Sequence, residues 1–72
     1  MNTNQRIPQH KQVLGFLRLH GSITPLQAIR LLKCYRLGAR IHELRRDGKH
    51  ITSELVKSSN NRHFSKYTLI NG

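Results

Sequence analysis

At Gly48 the hydrophobic period of this chain changes, and that change limits the architectures open to it. Before Gly48, apolar residues recur at three- and four-residue spacing; beyond it they gather in two β-branched and aromatic runs. Helices bring positions three and four apart onto one face and strands bring alternate positions together, so one pattern cannot serve both. The expected fold is therefore α+β and mainly α, with helices first and a β-hairpin last. A chain of 72 residues buries only about 60% of the surface its unfolded form exposes. Its core is small, with no room for a catalytic cleft walled by two layers plus a substrate domain, and the expectation is a chain that is not an enzyme. A hydrophobic share of 36% is ordinary for a globular domain and argues against wholesale disorder.

Residues 1–8 are polar apart from Met1, Ile7 and Pro8, and read as a flexible N-terminal arm; residues 9–70 carry the periodic pattern of a folded domain. The first helix is expected to begin near Pro8, a residue suited to the first helical position, and to stop at Gly21. Steps of 100° place Val13, Leu14, Phe16 and Leu17 on one side and Lys11, Gly15 and Arg18 on the other. Ser22-Ile23 can then form a short bridge against the core. Thr24-Pro25 is a strong helix start, a hydroxyl cap followed by a residue with no N–H to leave unpaired. The second helix runs from Pro25 to about Leu32, with Ala28, Ile29 and Leu32 sharing a face.

After a brief interruption at Lys33 and Cys34, a third helix is expected from about Tyr35 to Asp47, with Leu37, Ile41 and Leu44 recurring at i, i+4 and i+7. Gly48 ends it. Two helices separated by a three- or four-residue turn match the helix-turn-helix arrangement. The runs Ile51 to Lys57 and Phe64 to Ile70 are strands, and Ser58-Ser59-Asn60-Asn61-Arg62 between them is a polar turn whose asparagines tolerate positive φ. In the second strand Tyr67 and Leu69 alternate with Lys66 and Thr68; the first strand alternates poorly and leaves its register open.

Thirteen Lys and Arg face three acidic residues, Glu43, Asp47 and Glu54, for a formal net charge of +10. Such an imbalance opposes compaction by self-repulsion and so points to something outside the fold. Nucleic acid is the usual partner of so basic a small domain, its phosphates supplying the missing negative charge. An anionic membrane competes as a partner, but no stretch approaches ~18 consecutive apolar residues. The polar N-terminus lacks the apolar core of a secretion signal, and one cysteine cannot build a disulfide framework. These features lead to an expected place in the cytoplasm, bacterial and nucleoid-associated if the partner is DNA.

The order helix, bridge, helix, turn, helix, hairpin resembles winged helix-turn-helix DNA-binding domains. The segments Gly21-Ser22-Ile23-Thr24-Pro25-Leu26-Gln27-Ala28, Tyr35-Arg36-Leu37-Gly38-Ala39-Arg40-Ile41-His42-Glu43-Leu44-Arg45-Arg46-Asp47-Gly48 and Ile51-Thr52 resemble small helix-turn-helix proteins encoded by phages and prophages. The resemblance spans roughly residues 9–70; it departs from the pattern at Lys33, where many such turns carry glycine. It implies the fold and double-stranded DNA binding, in a phage or mobile-element transcription regulator or a recombination accessory factor.

With Leu37, Ile41 and Leu44 inward, Tyr35, Ala39, His42 and Arg46 point away, Arg36, Arg40 and Glu43 flank that face on one side, and Arg45 lies on the other. In helix-turn-helix docking the recognition helix enters the major groove. Small Ala39 permits close approach; Arg36 and Arg40 can each present two donors to guanine or pair with phosphate. Tyr35 and His42 can contact phosphate or base edges, and Glu43 either pairs with an arginine or accepts from a cytosine amino group. Taken alone this is equally a solvated helix face; the net charge and the hairpin favour DNA. At the hairpin tip Lys57, Arg62, His63 and Lys66 can lie along phosphates or place Arg62 in a minor groove. Thr24 and Gln27 open the second helix, whose N–H groups can hold a phosphate, although capping alone accounts for Thr24. Arg6, Lys11 and Arg18 add long-range attraction.

No cofactor and no metal site are expected. Cys34 stands alone as a small buried turn residue, and His10, His20, His42, His50 and His63 fall at no ligand spacing and form no nucleophile–base arrangement. Two Tyr and two Phe are few for an RNA-stacking surface. A rival of another class is a winged-helix adaptor or inhibitor of a host protein such as RNA polymerase, since fold alone does not settle function. With no spare helix for dimerisation, a monomer or weak dimer is expected.

Overall fold

The computed structural model describes residues 7–71; the first six positions of the expected arm, including Arg6, lie outside them. Helix α1 (Gln9–His20) starts behind Pro8, whose carbonyl accepts from the N–H groups of Lys11 and Gln12 at 3.0 and 3.1 Å. Its end is set by Gly21, at φ 88°, whose N–H donates to the Leu17 carbonyl at 2.7 Å. An L side chain in that left-handed conformation costs roughly 1–2 kcal/mol, which glycine avoids.

The two-residue strand β1 (Ser22–Ile23) leads into α2 (Pro25–Leu32). Thr24 and Gln27 form a reciprocal cap: the Gln27 N–H donates to Thr24 Oγ1 at 3.3 Å, and the Thr24 N–H donates to Gln27 Oε1 at 3.0 Å. The helix closes on Lys33, left-handed at φ 55°, and Cys34 behind it is drawn into the core while its N–H reaches the Ala28 carbonyl at 2.9 Å. The turn position where many helix-turn-helix domains carry glycine is thus built with lysine in the left-handed conformation.

Helix α3 (Leu37–Arg46) begins two residues later than its periodicity predicts. Tyr35 is outside it, and Arg36 is its N-cap at φ −128°, its carbonyl accepting from Ala39 and Arg40. The chain needs those two residues to climb from buried Cys34 to the start of a new axis. The far end is a Schellman closure: the Gly48 N–H (φ 94°) reaches the Arg45 carbonyl and the Lys49 N–H reaches the Leu44 carbonyl, at 3.0 and 3.1 Å.

Strands β2 (His50–Lys57) and β3 (His63–Asn71) form the hairpin, and β1 completes a three-stranded antiparallel sheet of order β1-β3-β2. The register that the sequence left open pairs Ile51 with Leu69, Ser53 with Tyr67 and Lys57 with His63, after an irregularity between His50 and Ile51. The turn closes through the Asn61 N–H on the Ser58 carbonyl and the Ser58 N–H on the Arg62 carbonyl, at 3.2 and 2.7 Å. Asn61 supplies the left-handed residue such three-residue loops require, at φ 63°.

The core is where the helix rows and the sheet meet. Val13 and Leu17 of α1, Ala28 of α2, Leu37, Ile41 and Leu44 of α3, and Ile23, Cys34 and Ile51 are buried, with Leu14, Phe16, Leu32, Tyr67 and Leu69 packed around them. Full burial of each large aliphatic side chain contributes ~1.5–3 kcal/mol. Ile29 departs from the expected inner face of α2: it remains 37% exposed, because that side of the helix looks toward β3 rather than into the core. No described helix is long and apolar enough to cross a membrane.

Candidate nucleic-acid interface

With three side chains of α3 buried, the rest of that helix sorts by angle. Ala39, His42 and Arg46 lie opposite the buried row; His42 and Arg46 are exposed and Ala39 is half-buried. Arg36 and Tyr35, just ahead of the helix, are exposed as well, Tyr35 at 72%. Ala39, His42 and Arg46 therefore share the outward face of α3, and Tyr35 and Arg36 are exposed just ahead of its first turn.

Arg40 does not join that surface. It turns toward α1, where Nε lies 3.0 Å from Glu43 Oε1, Nη2 donates to Glu43 Oε2 at 3.2 Å and Nη1 reaches Gln9 Oε1 at 3.5 Å. The Nε contact is ionic and poorly aligned for a hydrogen bond, so the bond through Nη2 carries the directionality. His10 Nδ1 stands 3.8 Å from the same Glu43 carboxylate. The expectation that Arg40 offers a free two-donor fork is thereby corrected: its direction from the helix axis is only partly outward, and α1 fills the space beside it. Of the two roles foreseen for Glu43, pairing with an arginine is the one the geometry adopts. That pairing has an electrostatic consequence, since it neutralises a carboxylate beside the outward cations.

The other flank of α3 faces the sheet. Arg45 donates from Nε and Nη2 to the Ile51 carbonyl, at 3.0 and 2.8 Å. The guanidinium thus ties the last turn of α3 to the first residues of β2 across the Gly48 reversal. On the same side Gly38 approaches Tyr67, whose hydroxyl would lie 3.9 Å from a Cβ placed there.

At the hairpin tip Arg62 and His63 are exposed, and Lys57 faces His63 across the ladder. Lys66 sits further down β3, half-buried and opposite Glu54. It belongs to the strand shaft rather than the tip. Thr24 and Gln27 are engaged with each other in the α2 cap, through Thr24 Oγ1 and Gln27 Oε1. The hydroxyl proton of Thr24 and the amide N–H groups of Gln27 are left as donors at that helix start.

A model of the winged helix-turn-helix domain family matches residues 8–72. The chain belongs to that family. No curated protein and no solved structure matches it. In this winged helix-turn-helix domain, α2 and α3 are the helix pair, α3 holds the place of the recognition helix, and β2 and β3 are the wing. The family is a DNA-binding one, and this member has the charge for it, +10 over 72 residues. Of its three acidic residues, Glu43 is held by Arg40, Glu54 lies across from Lys66, and Asp47 is the C-cap residue of α3 through its backbone N–H.

Sequence reasoning missed three residues that position this surface: Gln9, His10 and Arg45. Gln9 and His10 act from 30 or more residues away, and nothing in the local pattern announces such a contact. Arg45 had a weak signal, since an arginine in the last helical turn before a Schellman glycine can fold back over the following strand.

Proposed function

We propose that this winged domain binds double-stranded DNA with α3 in the major groove and the hairpin along the sugar–phosphate backbone. The observation that carries the proposal is the sorting of charge around α3. Arg36, His42 and Arg46 are exposed at and just ahead of α3, while the neighbouring carboxylate of Glu43 is paired with Arg40. Half-buried Ala39 lies among them and lets the helix axis come close to base edges. Arg36 supplies the bidentate fork suited to guanine, and Arg46 and His42 reach phosphates or bases further along. Arg62 and His63 at the wing tip, with Lys57 behind them and Lys66 further down the strand, neutralise phosphates beside the groove. The donors at the start of α2, Thr24 and Gln27, add a further phosphate contact.

Recognition by a small helix set in a groove suits sequence-dependent control, so the function proposed is transcription regulation or assistance to recombination in a phage or mobile element. Arg40, Glu43 and Arg45 act in this scheme as positioning residues, fixing α3 against α1 and the wing. Fluorescence anisotropy with a random duplex tests the binding. If about five phosphates are neutralised, log K falls against log salt with a slope of about −4 to −5, a loss of roughly 250- to 1,000-fold between about 50 and 200 mM. Affinity that ignores salt would overturn the proposal. Selection from a random duplex pool tests sequence recognition, and an unenriched pool would leave backbone binding alone.

A further inference from the structure

One part of the surface is not explained by contact with a duplex. Strand β3 is paired along only part of its β1 side: β1 meets it at Thr68 and Tyr67, and the chain then turns away into α2. The Leu69 N–H donates to the Gly21 carbonyl, so alternation turns the Ser65 backbone groups toward the same side, beyond the end of β1. Among the described residues no backbone bond joins Ser65 to β1 or α2. Between this open stretch and α2 runs a groove of about 450 Å³, lined by Pro25, Leu26 and Ile29 on the helix side and by Phe64, Arg62 and His63 on the hairpin side. Leu26 is 57% exposed there, which costs the free protein hydration of apolar surface.

The groove is apolar along its wall and cationic at one end. The Arg62 and His63 side chains have no ion-pair partner among the described residues. A duplex would satisfy Arg62 and the His63 ring donor and leave Leu26, Ile29 and Phe64 against water. A second copy of this chain brings thirteen cations and three carboxylates, one of them already held by Arg40, so its charge repels. The N-terminal residues Met1 to Arg6 contain no carboxylate and add a cation. An extended polypeptide with apolar side chains between carboxylates satisfies wall, rim and strand edge together.

We propose that the groove between α2 and the open edge of β3 docks an extended acidic segment of a partner protein, its apolar side chains against Leu26, Ile29 and Phe64 and its carboxylates on Arg62 and His63. This docking site does not involve α3 and is tested without DNA; it shares Arg62 and His63 with the proposed wing contact, so peptide and duplex would compete there. The test uses the full chain and a labelled synthetic octapeptide, Asp-Glu-Leu-Thr-Phe-Thr-Glu-Asp, with two controls: its acids replaced by lysine, and its Leu and Phe replaced by serine. Binding is followed by anisotropy and by amide shifts. The acidic apolar peptide is expected to bind with shifts at Ser65 and Leu26, and each control to bind at least about tenfold more weakly. Leu26→Ser, at an exposed position that leaves the fold intact by circular dichroism, and Arg62→Glu are each expected to weaken the parent peptide by about tenfold. Equal binding of the serine control, unchanged affinity in both variants, or no binding at about 1 mM peptide would overturn the proposal.

Discussion

Two adjacent arginines, Arg45 and Arg46, are predicted to fail in opposite ways when replaced by methionine, which keeps an apolar stem of similar length and removes the charge. Arg45 spends two donors on a single carbonyl, that of Ile51, at 3.0 and 2.8 Å in a partly buried setting. A hydrogen bond from a charged donor contributes ~1.5–3 kcal/mol when well shielded. Part of this guanidinium meets solvent, so the discounted cost of Arg45→Met is about 1–2 kcal/mol. In a domain of this size each kcal/mol moves Tm by about 4–8 °C, so a fall of roughly 5–15 °C is expected. Its DNA binding below the transition should keep the salt slope of the parent. Arg46→Met removes an exposed side chain with no hydrogen bond or ion pair among the described residues, and stability should stay within about 0.5 kcal/mol. Its DNA affinity should fall and the salt slope should flatten by about one. Calorimetry and anisotropy on the same two samples decide it. The reverse pattern, with Arg45→Met flattening the slope and Arg46→Met lowering Tm, would refute this division of labour.

Three further outcomes follow from the packing and the turn. Ile41→Ala empties a site that is 1% exposed and should cost ~2–5 kcal/mol, lowering Tm by at least about 10 °C; a shift under about 2 °C would show that this row is not in the core. Lys33→Gly relieves a left-handed lysine at φ 55° and, after the entropy of a freer unfolded chain is subtracted, should stabilise by about 0.5–1 kcal/mol in urea unfolding. Arg36→Ala should weaken binding to a selected duplex by ~1–3 kcal/mol and bring that duplex closer to random DNA, which a competition assay reads directly.

Much of this fold is legible in the sequence because its punctuation is chemical. Gly21 and Gly48 occupy left-handed positions at helix ends, Thr24-Pro25 opens α2, and Asn61 closes the hairpin. Each is a residue whose backbone or side chain suits one local geometry better than its rivals. The inward rows of α1 and α3 were equally plain, since each repeats at helical spacing. The failures share one cause, which is dependence on a distant neighbour. Helical angle puts Arg40 on the flank of an open face, and that flank is occupied because Gln9 of α1 meets Arg40 and His10 lies beside its partner Glu43. Periodicity gives Ile29 to the core, yet its exposure depends on where β3 runs. Periodicity puts Tyr35 in the helix because it is blind to the two residues a buried Cys34 obliges the chain to spend outside it. The first strand's register was unreadable from its own sequence because only Ile51 within it is buried; the pairing with β3 sets it.

What most directly tests the proposed DNA surface is a map of amide shifts on the full chain as a short duplex is added at near-physiological salt. The largest changes are expected at Arg36, Ala39, His42 and Arg46 and at the hairpin tip around Arg62, with little change at Leu19 on the exposed side of α1. Shifts concentrated on α1, with α3 unmoved, would contradict it.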